Sequence, residues 1–432
     1  MGDQKVLIVY RLFSVLSGLG SLLLGGYVSR RDWGRTEALC TMVLMGTCYP
    51  LLLYFSEARG YAAAILFGLA AYATLGLTSV RRSWVQHALF WTTSVLGILS
   101  HATFVILFFA FVLWSAAQQI QVGDYGRAAR RLLVLHAPPL LFFAWWYVFF
   151  LKDMVIGGGP RWGTWDVIGY ASVLILGLPD MPALRVVAPV LVLLLVALGS
   201  TVLSLQRDMR WIFFPAVLVI SPALLLLVTS PKYLYFRYFI VFFPFLILLL
   251  AYLVGRCCHC SPKLWRWLAF AVLTALLVGQ APRDYLLLKL GRGQYSAALE
   301  FIAEQSSGRN VLIGSDNDFR NRMVFDFYAP YVVGGGNLRY VNQPQWRSKP
   351  PDWILVHSFD VSDLSQRRAV VKGVGDYWLT KEYKFSGISG WSWLLFRREM
   401  DDSRRAQPAG PNRVAGGFAP SAPTPPSMRC SA

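Results

Sequence analysis

Apolar residues come along this chain in ten long blocks, at 5–28, 37–55, 61–80, 84–100, 101–118, 131–151, 186–206, 211–229, 238–255 and 264–282. Short polar segments separate them. A run such as Val187 to Leu205 or Tyr238 to Val254 is long enough, as a helix rising 1.5 Å per residue, to cross roughly 30 Å of hydrocarbon. The pattern predicts an all-α polytopic membrane domain over residues 1–282, with about ten transmembrane helices. Residues 167–178 are apolar but short, and fit an interfacial or re-entrant helix better than a crossing.

The pattern changes after Arg283. Residues 296–306 place Ala297, Leu299, Ile302 and Ala303 on one face of a helix. Strand-like runs follow at 310–313, 338–341, 353–356 and 393–396. A small extracytoplasmic α/β domain is expected over 283–400. The run Gly334–Gly335–Gly336 lacks the strand–turn–helix context of a phosphate loop and reads as a flexible turn. From Asp401 to Ala432, Pro, Ala, Gly, Ser and Arg dominate, so this tail is expected to be disordered.

Composition agrees with the blocks. Of 432 residues, 56% are hydrophobic and 15% charged, against about 25% charged in an ordinary soluble chain. The net charge of +18 does not signal nucleic acid, because much of it sits in short loops between apolar runs. One alternating set of loops carries thirteen Arg and Lys residues, including Arg30, Arg31, Arg207, Arg210 and Arg256. The other carries six: Arg59, Lys152, Arg161, Arg185, Lys232 and Arg237. The richer set is expected to be cytoplasmic. The C-terminal domain then lies outside, in a cell (inner) membrane topology, and so does Met1. A start outside without an export signal suggests a span and a loop upstream of Met1. Cys257, Cys258 and Cys260 flank His259 too tightly for a two-pair zinc site and read as part of a reduced loop. No metal site and no cofactor is assigned; a divalent metal remains compatible, without a visible ligand set.

Ionisable groups at membrane depth are costly and mark functional sites. Those at the outer ends of the spans are Arg11; Glu57, Arg59 and Tyr61; His101; and Lys232, Tyr233, Tyr235, Arg237 and Tyr238. Asp153 and Asp166 bracket a loop carrying Gly157–Gly158–Gly159. Cations converging at headgroup depth suit a phosphate or pyrophosphate, with the apolar body holding a lipid tail. Each group also has a plainer reading. Arg11 snorkels, Glu57 and Arg59 pair at the surface, His101 bonds a helix end, and Lys232 and Arg237 anchor span ends.

Four segments carry a family resemblance. Tyr10 to Leu16 followed by Arg30–Arg31 resembles an Arg-Leu-Pro-Ser stretch, with Phe13 where Pro is usual. Tyr54 to Tyr61 resembles a Glu-Ala-Arg-x-Tyr outer loop, Leu99 to Thr103 a Leu-x-His junction, and Arg237 to Pro244 the Arg-Tyr-Leu start of a late span. In this order, over residues 8–255, they resemble the GT-C type membrane glycosyltransferases that use polyprenyl-phosphate sugars. The nearest group is the bacterial protein mannosyltransferases and lipid A aminoarabinose transferases.

The resemblance implies transfer of a sugar from a polyprenyl-phosphate donor to a lipid, glycan or protein acceptor of the cell envelope. Arg59, Lys232 and Arg237 would hold the donor phosphate. Glu57 and His101 would orient neighbours or the acceptor, supported by Arg11, Tyr61 and Tyr238. The family's catalytic acid sits in a first outer loop, which would lie upstream of Met1. Its absence from residues 1–432 keeps two other readings open: a transporter or flippase of lipid-linked substrates, and a catalytically inactive membrane scaffold. Expected partners are the lipid-linked donor, the acceptor and membrane lipids, with no nucleic acid.

Overall fold

The computed structural model describes residues 2–78, 83–121, 125–154, 162–229, 234–306, 308–359, 367–388 and 390–399. Lys232, Tyr233, the Gly157–Gly159 loop and the 401–432 tail lie outside the described residues. The chain divides into two compact units. One is Tyr10–Asp284; the other is Tyr285–Ser431 with Met1–Val9.

The larger unit is helical. Its elements are α1 (Gly2–Asp32), α2 (Arg35–Thr47), α3 (Tyr49–Phe55), α4 (Tyr61–Thr78), α5 (Trp84–Ser100), α6 (Phe104–Ile120) and α7 (Tyr125–Trp146). After them come α8 (Thr164–Ile175), α9 (Pro182–Leu205), α10 (Arg210–Pro215), α11 (Ser221–Thr229), α12 (Phe243–His259) and α13 (Lys263–Leu290). A π turn over Ala216–Ile220 joins α10 to α11, and a 3-10 turn over Phe236–Phe242 leads into α12. Among the described residues, six helices are long and apolar enough to cross a membrane, or seven if the bent pair α2–α3 counts as one. Apolar helices at Tyr61–Gly76, Phe104–Ile120 and Thr164–Ile175 are shorter. This is a multi-pass membrane protein.

The span from Phe236 through α12 is its hub: 89% of its apolar window is buried, against 11–33% in the other five. Its Phe245 meets Phe213 of α10 at 5.4 Å, and Phe213 meets Tyr72 of α4 at 4.8 Å. Asp32, at the end of α1, lies 2.8 Å from Arg210 and accepts from Tyr72 at 3.3 Å, a partnered charge at one end of the bundle.

The break between α2 and α3 is a bend of 68°. Pro50, in the first turn of α3, has no N–H to continue α2, and its ring would clash with the preceding turn. The backbone groups this frees need partners, because hydrocarbon offers none. Gln280 of α13, 4% exposed, supplies one of them and serves the end of α8 as well. Its Oε1 accepts from the Tyr49 N–H at 3.3 Å. Its Nε2 donates to the Leu174 and Ile175 carbonyls at the end of α8, at 2.9 and 3.2 Å. One amide therefore ties two helix ends to α13. A Gln280→Leu variant should melt in detergent with a loss of about 2 kcal/mol or more, because buried backbone groups lose their partners. An unchanged melting curve would refute that role.

The smaller unit carries a six-stranded sheet in the order β2-β1-β3-β6-β5-β4. The strands are β1 (Val311–Ser315), β2 (Leu338–Tyr340), β3 (Trp353–Ser358), β4 (Arg368–Val371), β5 (Gly375–Tyr383) and β6 (Ser392–Arg398). β2, β1 and β3 are parallel; the pairs β3–β6, β6–β5 and β5–β4 are antiparallel. Side chains alternate across the sheet. Trp353, Leu355, Trp393 and Leu395 pack with Leu299 and Ile302 of α14 (Tyr295–Gln305). Ile354, Leu394 and Phe396 pack on the other face with Trp346 and Tyr377. The expected helix and four strands are present. The sequence reading did not anticipate β4, β5 or α15 (Asp318–Tyr328).

Candidate functional site

The turn after α3 carries Glu57 and Arg59. Glu57 is buried, and Arg59 Nη1 lies 3.5 Å from its Oε2. This is the local ion pair of the plainer reading, but it does not sit apart from the other candidates. The turn is pinned from α1, where Ser14 Oγ donates to the Arg59 carbonyl at 3.3 Å. It is also pressed against the end of α5: a β-carbon on Gly60 would lie 1.7 Å from the Ser100 carbonyl oxygen. Only glycine permits that approach.

Tyr61, the first residue of α4, packs on His101 with centroids 4.0 Å apart and the rings tilted by 31°. Tyr54 packs on Tyr61 at 4.9 Å and on Phe236 at 6.2 Å. Arg237 follows Phe236 and holds its guanidinium 4.3 Å above the Tyr235 ring and 6.0 Å from Tyr238. Three segments distant in sequence thus converge. Arg11 is half-buried on α1, one turn before Ser14 and on the same face, at the edge of the group.

His101 sits in the three-residue linker between α5 and α6. Its Nδ1 lies 2.8 Å from Thr103 Oγ1 and takes the Thr103 N–H at 3.3 Å. Burial, reinforced by the Arg237 and Arg59 charges, pushes its pKa down to about 4, so the ring is neutral at pH 7. Among the described residues, Arg59 and Arg237 against the one carboxylate of Glu57 give the cluster a positive balance, which suits an anion.

The folded-state pKa of His101 lies below the unfolded value, so its contribution to stability is present above about 6.5 and is lost as pH falls toward 4. Between pH 7 and pH 5 the wild type should lose about 2 kcal/mol more than His101→Gln. Thermal midpoints of both proteins across that range test this; parallel slopes would contradict it.

The sequence reading missed two groups. Around Phe236, Tyr170 packs edge-on at 5.6 Å, and Arg185 lies over Tyr170 at 5.3 Å while pairing with Asp180 at 2.7 Å. Arg185 had been placed among the outer cations, but only packing joins it to Phe236. In the smaller unit, His357 Nδ1 lies 2.6 Å from Asp316 Oδ2, and its Nε2 lies 2.6 Å from Arg320 Nη1. These residues occupy the carboxyl ends of β1 and β3, where parallel sheets commonly bind ligands. Their sequence signal is only an isolated His and a run of alternating charges.

No family model, curated protein or solved structure matches this chain.

Proposed function

We propose that this chain is an integral-membrane glycosyltransferase that takes a sugar from a polyprenyl-phosphate donor. The observation that supports this best is the meeting of Glu57, Arg59 and Tyr61 with His101 and Arg237. Counting α4, α5 and α6 with the seven longer spans gives ten crossings. In this reading the loop charges argue for an extracytoplasmic cluster and, separately, for an extracytoplasmic C-terminal unit.

In the reaction, the acceptor hydroxyl oxygen attacks the anomeric carbon. The bond to the lipid phosphate breaks, and the phosphate leaves with the electron pair. Arg59 and Arg237 stabilise that charge. Glu57 and the neutral His101 orient the acceptor, and the hydroxyl proton ends on the released phosphate monoester or on solvent water. Lys232, five residues before Arg237, joins the phosphate group in this reading.

Cells lacking the gene should accumulate one polyprenyl-linked sugar, and membranes containing the protein should consume it when an acceptor is added. An unchanged lipid-linked sugar pool would defeat the proposal. The 68° bend between α2 and α3 favours a second reading, transport, since transporters build their sites on broken helices. Movement of the lipid-linked sugar across proteoliposomes without acceptor would select it.

A further inference from the structure

α15 turns its apolar stripe outward. Phe319, Met323 and Phe327 stand four residues apart, on one face of the helix, and Phe319 is 80% exposed. The opposite side buries Asn321, whose side-chain oxygen accepts from Trp393 Nε1 at 2.8 Å and Trp391 Nε1 at 3.2 Å. Nearby, Phe359 is 45% exposed just beyond β3. The Arg320 guanidinium lies 4.9 Å from the Phe359 ring and 5.4 Å from Trp391.

These rings share one end of the sheet, and it is the end where the chain arrives from α13. Trp391 stacks on Tyr295, the first residue of α14, at 5.6 Å. The linker between α13 and α14 is fastened to this end. Ser386 N–H donates to the Gly291 carbonyl at 3.0 Å, and a β-carbon on Gly390 would lie 1.7 Å from the Arg292 carbonyl oxygen. The far end of the unit also has exposed apolar residues. Val333, 86% exposed, precedes a glycine packed on Ala303 late in α14. Trp378 is in register with Arg397, which pairs with Trp353 at the start of β3.

α13 has 28 residues, so it is about 42 Å long, while the hydrocarbon layer is about 30 Å thick. Its apolar stretch ends at residue 282. The turns from Arg283 to Leu290 therefore cross the headgroup layer, and the step from Leu290 to Tyr295 can reach no further than about 18 Å. The α13 end of this unit is therefore tethered within about 18 Å of the last turn of α13. Aromatic rings with basic neighbours are what a protein places at headgroup depth; here Arg322, about half exposed and 3.4 Å from the equally exposed Asp326, follows Phe319 in α15, and Lys289 stands in the last turn of α13.

We propose that the smaller unit rests this end on the phospholipid headgroups of the adjoining leaflet. Phe319 and Phe359 insert among the headgroups, and Arg322 and Lys289 meet lipid phosphates. The inference needs only the membrane crossing by α13, so it stands apart from the sugar-transfer reading.

The test places the photo-reactive residue p-benzoylphenylalanine at position 319, 359, 333 or 378 of the full chain in phospholipid nanodiscs. All four positions are exposed and should tolerate it. After illumination, mass spectrometry should find phospholipid adducts several-fold more abundant at 319 and 359 than at 333 and 378. Equal yields at all four positions would overturn the proposal. So would adducts at 319 and 359 that join protein, whether this chain's own helices or another chain, in place of lipid.

Discussion

Membranes carrying Arg237→Ala should transfer sugar at least about 100-fold more slowly than wild type, the scale set by removing one preorganised group that stabilises a developing negative charge. The guanidinium carbon lies over the Tyr235 ring, 4.3 Å from its centroid, and its field reaches His101. It is therefore already in place when negative charge grows on the departing phosphate. Lysine keeps the charge but loses the planar guanidinium and its fork of donors, so Arg237→Lys should recover only part of the rate. Arg59→Ala should act in the same direction, because in the sugar-transfer reading Arg59 would meet the same phosphate from the opposite segment. Both variants must remain in the membrane at normal abundance for the comparison to count. Full transfer by both would remove the site assignment.

Gly60→Ala should cut transfer by a similar factor without touching any ionisable group. The new β-carbon would stand 1.7 Å from the Ser100 oxygen and 2.8 Å from the Ser100 carbonyl carbon. Backbone cannot swing aside as a side chain can. The 57–60 turn must retreat from the His101 linker by more than an ångström, and a misplacement of about 1 Å can cost about 100-fold in rate. Gly336→Ala is the control: its β-carbon would meet nothing within 4 Å, and transfer should not change. If Gly60→Ala transfers at the wild-type rate, the contact between turn and linker is not part of the site.

The sequence carried much of the fold. Long apolar blocks announced the helices because length against bilayer thickness is a local property. The boundary near Arg283 and the order of α14, β1, β2, β3 and β6 followed from composition and short-range periodicity. What it did not carry has particular causes. α15 was invisible because its apolar residues, Phe319 and Met323, face out while Asn321 faces in, so its pattern does not describe a core-facing helix. β5 carries the consecutive polar residues Thr380, Lys381 and Glu382 and buries only Tyr377 and Tyr383, so it shows no clean alternation. The 37–55 block looked like one continuous helix, and Pro50 marks the place where it breaks into two helices bent by 68°.

For the candidate site, sequence put Arg59, Arg237, Tyr61, His101 and Glu57 at the ends of separate apolar blocks, since the boundary of a block is a local property of the chain. It had no means of deciding whether they meet. The Tyr61–His101 contact, the seating of the 57–60 turn on Ser100 and the chain of rings through Tyr54 and Phe236 to Tyr170 depend on how separate helices pack. The role of Gln280, 231 residues from Tyr49, belongs to the same class. Multi-pass membrane character was therefore determined by sequence alone, because hydrophobic length acts residue by residue along one helix. The gathering of a cationic, aromatic mouth was decided only by tertiary structure, because contact between remote segments is a property of packing.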